Sequence, residues 1–150
     1  MHFEETLDVA ASREQAWELF WQPQRLAKLI PGCSSVEEIE PQQRYKAMFD
    51  DSVGPYKLHF DMDVRVVETQ PQERITIEAN GKDARLGVTQ KLALGALLQD
   101  QAPGRTRIDV SADLEILGKV ATLGQFVIKR KAKSVVEQLA RNIERELSNG

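Results

Sequence analysis

Apolar and polar side chains alternate most clearly between Tyr56 and Val67. The stretch YKLHFDMDVRVV sets Tyr56, Leu58, Phe60, Met62, Val64 and Val66 on one face. Lys57, His59, Asp61, Asp63 and Arg65 fall on the other. Six matches at period two predict a strand and exclude an amphipathic helix, whose faces recur every 3.6 residues. Phe3 to Val9 alternates in the same way. Further runs at Ser35 to Glu40, Arg44 to Val53, 74–79, 87–98 and 105–117 bring the predicted strands to seven. The gaps between them hold PQQ, Gly54-Pro55, Gln72-Glu73, Gly81 to Asp83 and Pro103-Gly104, which are turn formers. Consecutive strands joined by links this short pair antiparallel.

Two interruptions carry helical signals. Ser12 with Gln15 three positions on forms a capping box for a helix bearing Trp17, Phe20 and Trp21, which Pro23 stops. Pro23 suits the first turn of a second short helix, PQRLAKLI, which Pro31-Gly32 ends. Beyond Gly118 the period changes. From Val120 to Leu147 the stripe Ile128, Ala132, Val135, Val136, Leu139, Ile143 and Leu147 recurs at helical spacing, predicting a helix of about 42 Å. Its apolar stripe can be buried only along the apolar face of the sheet. The predicted class is α+β with a helix-grip arrangement: a seven-stranded antiparallel sheet around a long C-terminal helix, with two short helices between the first and second strands. One helix about 10 Å across cannot fill the concavity of so wide a sheet, so a cavity is expected between them.

Composition narrows the reading. A chain of 150 residues predicts a single domain spanning 1–150, with a core large enough to leave a modest cavity. A net charge of -3 gives no global attraction to nucleic acid, and the aromatic residues sit at core spacing rather than among basic ones. One cysteine cannot form an internal disulfide, and no basic-then-apolar leader opens the sequence; a cytoplasmic address is expected. No apolar run approaches the ~20 residues that span a bilayer.

The candidate chemistry is sparse. Cys33 as a nucleophile needs a base within reach, and the only histidines are His2, beside the terminus, and His59, on the polar side of its strand. Cys33 reads instead as a small gate residue behind the Pro31-Gly32 turn. His59, Asp61 and Asp63 share a face at metal-ligand spacing, but no second set of ligands completes a site, and a solvated sheet face accounts for them. No phosphate loop, zinc motif or serine triad occurs, so no catalytic residue, metal or cofactor is assigned. The basic run KRKAK at 129–133 is either a solvated outer face or a site that attracts anionic lipid or an acidic partner. Two polar residues, Glu5 and Gln90, fall in line with the inward apolar positions, where an unpaired polar group costs a few kcal/mol. Each either orients a ligand or a cavity water, or marks a strand end or a bulge.

The element order, with IPGC at 30–33, Tyr45-Lys46, VGP at 53–55, NGKD at 80–83, GRT at 104–106 and GKVATLG at 118–124, resembles the CoxG-like family, that of the G subunit of carbon monoxide dehydrogenase. This family lies within the START/Bet v 1-like (SRPBCC) superfamily, which includes polyketide cyclases. The resemblance implies an apolar ligand, lipid- or quinone-like, in the helix-grip cavity. For some members it implies service to a molybdenum-containing CO dehydrogenase in assembly or membrane recruitment. On this reading Leu58, Phe60, Met62 and Val64 form the cavity floor, with Gln90, Leu92, Leu94 and Val110. Leu123, Phe126 and Val127 form the roof, and Ile30, Pro31, Gly32, Cys33, Gly54 and Pro55 frame the mouth. Two other functions stay open: docking on a molybdenum hydroxylase or a peripheral membrane surface, and a cyclase-like enzyme.

Overall fold

The alternation in YKLHFDMDVRVV materialises as a strand, longer than its pattern predicts because cross-strand pairing carries it to Gln70. The computed structural model describes residues 1–149. The strands are β1 (His2–Val9), β2 (Cys33–Glu40), β3 (Arg44–Val53), β4 (Tyr56–Gln70), β5 (Arg74–Asp83), β6 (Val88–Ala102) and β7 (Arg105–Leu117). They form one sheet in the order β1-β7-β6-β5-β4-β3-β2. Every neighbouring pair is antiparallel. Two short helices, α1 (Arg13–Phe20) and α2 (Pro23–Ala27), stand between β1 and β2, and α3 (Gln125–Asn149) closes the chain. The fold is a helix grip.

Local chemistry accounts for the element ends. The Ser12 hydroxyl accepts from the Gln15 amide, and the Gln15 side chain accepts from the Ser12 amide, so both capping-box bonds form. Gly32 turns α2 into β2 at φ +80, where a Cβ would meet the Asp50 carbonyl oxygen at 2.7 Å. Thr106 is fully buried, and its hydroxyl donates to the Ala11 carbonyl at 2.7 Å, pinning the β1–α1 link to the end of β7.

Three expectations give way. The second short helix ends at Ala27, before the Pro31-Gly32 turn. Residues 81–83 are not a link, because β5 continues through them opposite Asp61 and Met62. Gly81 sits inside that strand; a Cβ there would lie 2.1 Å from the Met62 sulfur, so the missing side chain makes room for Met62. The terminal helix does not begin at Val120. Lys119–Leu123 forms a 3-10 helix, Gly124 takes φ +91, and only then does α3 start. That break resets the helical phase. Ile128 faces the sheet, and residue 126, two positions away, lies about 200° around the helix from it.

The core is divided along its length. At one end Leu7, Val9, Leu19, Ile108 and Leu98 pack with Ala140, Ile143 and Leu147 of α3, beneath α1 and α2. At the other, Val53, Leu58, Phe60, Met62 and Val88 pack around Val120 of the 3-10 helix. A third, small cluster holds Phe3, Ala112 and Leu114 near the β1 edge.

Candidate functional site

Between the two large clusters runs a band of inward side chains that pack against one cluster or the other without being sealed. Val64 and Leu92 pack against the Val120 end, Val66, Ile77 and Val110 against the α1 end, and Leu94 against neither. The ladder places Val64 opposite Tyr45 and Ala79, Leu92 opposite Ala79 and Leu114, and Leu94 opposite Ile77 and Ala112. Val66 pairs with Ile77, and Val110 with Ala96 and Glu5. Val64, Val66, Ile77, Leu92, Leu94 and Val110 are all half-buried, although they lie mid-sheet on the face turned toward α3. The dimensions explain this. Seven strands about 4.8 Å apart make a surface roughly 29 Å wide, and one helix about 10 Å across covers a third of it. Water reaches apolar side chains that a close-packed interior would seal.

The polar groups at this band are few. Glu5 and Gln90 are half-buried at its margins, and neither side chain has a hydrogen-bond partner among the described residues. The Tyr45 hydroxyl accepts from the Gln42 amide at 3.1 Å, and burial raises its pKa. Cys33 begins β2 rather than lying in a loop, and its thiol donates to the Ser35 carbonyl at 3.5 Å. Burial pushes its pKa up, which disfavours the thiolate a nucleophile needs. His59, exposed on the far side of the sheet, pairs with Asp50 of β3.

The predicted floor divides in two. Val64, Gln90, Leu92, Leu94 and Val110 lie on the half-buried band, whereas Leu58, Phe60 and Met62 are buried inside the Val120 cluster. Leu123 is half-buried, and one of its methyls lies 3.1 Å from where a Gly54 Cβ would stand. The roof expectation fails at its other two residues. Phe126 is 77% exposed and Val127 39%, because the break at Gly124 turns both away from the face that Ile128 presents. The expected mouth residues follow the end of β3. The Gly32 carbonyl accepts from the Asp50 amide at 2.8 Å, Ile30, Pro31 and Cys33 are half-buried beside it, and Gly54 and Pro55 are exposed in the turn. Sequence reading left Ile77 and Val66 off the site, although the alternation in RITIEA and VRVV already put them on the inner face. An ion pair from α3 to the sheet, Lys131 to Asp51 of β3 at 2.8 Å, carried no sequence signal.

A family model for CoxG, the G subunit of carbon monoxide dehydrogenase, matches residues 6–148. The chain belongs to the CoxG family. No curated protein sequence matches this CoxG-family chain. Among solved structures it is similar to a conserved protein from Geobacillus kaustophilus, with 22% identity and a TM-score of 0.88 over 99% of this chain and 96% of that one. It is also similar to a START superfamily protein from Mycobacterium smegmatis, with 16% identity and a TM-score of 0.77 over 99% and 97%. Ara h 8.0201 follows with 18% identity and a TM-score of 0.69 over 100% and 99%. At these identities the likeness is one of fold: CoxG and Bet v 1-like chains share the helix grip. Among the described residues no helix is long and apolar enough to cross a membrane.

Proposed function

We propose that this chain binds an apolar small molecule, lipid- or quinone-like, against the half-buried band between sheet and α3. The supporting observation is the partial exposure of Val64, Val66, Ile77, Leu92, Leu94 and Val110 in the middle of the concave face. Covering such a surface contributes about 25 cal/mol per Å², so each 100 Å² sealed by a ligand favours binding by roughly 2.5 kcal/mol before association costs. The CoxG family and the helix grip both fit this reading. Organic extraction of the purified protein followed by mass spectrometry tests it. A co-purifying apolar molecule is expected, together with binding of an apolar fluorescent probe that Leu94→Trp abolishes. If extraction yields nothing and no apolar probe binds, the reading is wrong.

A second reading rests on a different surface. Phe126 and Val127 project into solvent beside Lys129 and Arg130, which have no carboxylate within 4.0 Å among the described residues. An exposed aromatic flanked by unpaired cations suits the surface of an anionic bilayer. In this reading the chain serves as a peripheral accessory, and its family points to a molybdenum-containing CO dehydrogenase as the enzyme served. Vesicles containing phosphatidylserine should carry the protein upward on flotation, and those of phosphatidylcholine alone should not. Phe126→Ser with Lys129→Ala should remain at the bottom of the gradient. Equal flotation of the variant counts against docking.

A further inference from the structure

The half-buried band is almost wholly apolar, with Glu5 and Gln90 only at its margins and no cation on it among the described residues. Cations gather instead where α3 passes the end of β3. There, a depression of about 260 Å³ opens between the β3–β4 turn and the first turns of α3. Val53 and Val127 supply its apolar surface, and Ser52, Ser134, Arg130 and Lys131 supply its polar rim. Lys131 is paired at 2.8 Å with Asp51, which does not line the depression itself but engages one of its two cations. Arg130, the other cation, has no carboxylate within 4.0 Å among the described residues.

The next polar ties between α3 and the rest of the chain lie far along the helix. Asn142 donates to the Leu29 carbonyl at 2.8 Å, and Arg25 pairs with Glu146 at 2.5 Å. From Lys131 to Asn142 the helix advances about 16 Å. Among the described residues of that span, no α3 side chain forms a hydrogen bond or ion pair to the sheet; the bonds present run within the helix. The flank between the two ties is therefore bridged to the sheet by no polar contact, so a ligand entering there breaks only apolar packing.

We infer that this flank is the ligand's entrance and that the ligand is an amphiphile with a carboxylate head, taken up by Arg130 and Lys131 in the place Asp51 now holds. This deepens the apolar-ligand reading and rests on it. A guanidinium accepts a carboxylate in a two-bond fork, and the Ser52 and Ser134 hydroxyls bring further donors to the same rim. Both members of the Asp51–Lys131 pair are about a third exposed, and an ion pair that exposed opens at little cost. The apolar body then runs from Val53 and Val127 toward the band.

Calorimetric titration with dodecanoate, dodecanol and dodecyltrimethylammonium, each below its micelle concentration, tests the assignment. Dodecanoate should bind about tenfold more tightly than dodecanol, and the cation more weakly than either. Arg130→Ala with Lys131→Met should bring dodecanoate affinity down to that of dodecanol, and an unchanged circular dichroism spectrum shows that the variant is folded. Asp51→Asn removes the resident competitor and should widen the ratio of dodecanoate to dodecanol affinity severalfold. Equal affinities for dodecanoate and dodecanol in the unaltered protein overturn the carboxylate assignment and leave the apolar-ligand reading intact. If none of the three binds, the apolar-ligand reading itself falls, and this inference with it.

Discussion

Leu94 and Leu98 lie on the same face of β6, four residues apart, and differ in what covers them. Leu98 is 2% exposed in the cluster under α1, opposite Ile108, whereas Leu94 is half-buried opposite Ala112 and joins none of the clusters. Truncating each to alanine makes a controlled pair: same residue, same strand, same direction. Leu98→Ala removes a fully packed side chain and leaves a void, so a loss of about 3 to 4 kcal/mol is expected. Leu94→Ala gives up less buried surface and opens no sealed void, because the site is partly open to water; a loss of about 1 to 2 kcal/mol is expected. The difference of about 2 kcal/mol corresponds to roughly 4 to 8 °C in Tm for a chain of this size. Urea and thermal unfolding followed by circular dichroism measure both. Leu94→Phe probes the same band in the opposite direction. In an open band the added volume is accommodated and stability stays within about 1 kcal/mol of the parent, whereas in a close-packed interior it costs about 1 to 3 kcal/mol. Equal losses for the two alanine variants, or a steep penalty for the phenylalanine, would mean that the centre is solid and that no ligand surface exists there.

Three further outcomes follow from single contacts. Gly81→Ala places a Cβ 2.1 Å from the Met62 sulfur and 2.7 Å from the Asp61 carbonyl oxygen; a loss of about 1 to 3 kcal/mol is expected in chemical unfolding, and a neutral result would contradict the close approach of β4 and β5. Thr106→Val keeps the shape but leaves the Ala11 carbonyl without its buried donor, for a loss of about 1 to 3 kcal/mol that Thr106→Ser should largely restore. The Asp83 carboxylate accepts from the His59 amide at 2.9 Å and the Leu86 amide at 3.1 Å, which lowers its pKa below the ordinary value of 3.8. The unfolded chain then binds the proton first, so this group's contribution is present above pH 3.8 and is lost as pH falls through the lowered folded value. Stability measured from about pH 7 down to about pH 2 should fall less across that window in Asp83→Asn than in the parent, and parallel curves would refute the assignment.

Local chemistry was enough wherever one segment decides its own conformation. Period-two alternation placed β4 and the inner faces of β5 to β7. Ser12 and Gln15 announced the start of α1 and Pro23 that of its companion, because caps are settled within about four residues, whereas α2 ends at Ala27, short of the Pro31-Gly32 turn. The strands and helices so placed admitted one burial solution, the helix grip. What the pattern could not supply was coverage. Alternation says which way Leu58 and Leu94 point, and it reads the same for both, yet the 3-10 helix buries the first and nothing reaches far enough to bury the second.

The phase of α3 was equally beyond local reading. Phe126 and Val127 look like core residues in sequence, and the φ of +91 at Gly124 turns them outward by starting the helix afresh. The Asp51–Lys131 pair joins residues eighty positions apart, a distance over which no spacing rule operates. The sequence alone determined the elements, the direction of their side chains and the class of fold. Tertiary structure alone decided which inward apolar residues are sealed and which stay open to water, because the width of a sheet and the girth of one helix are matched only after both are assembled.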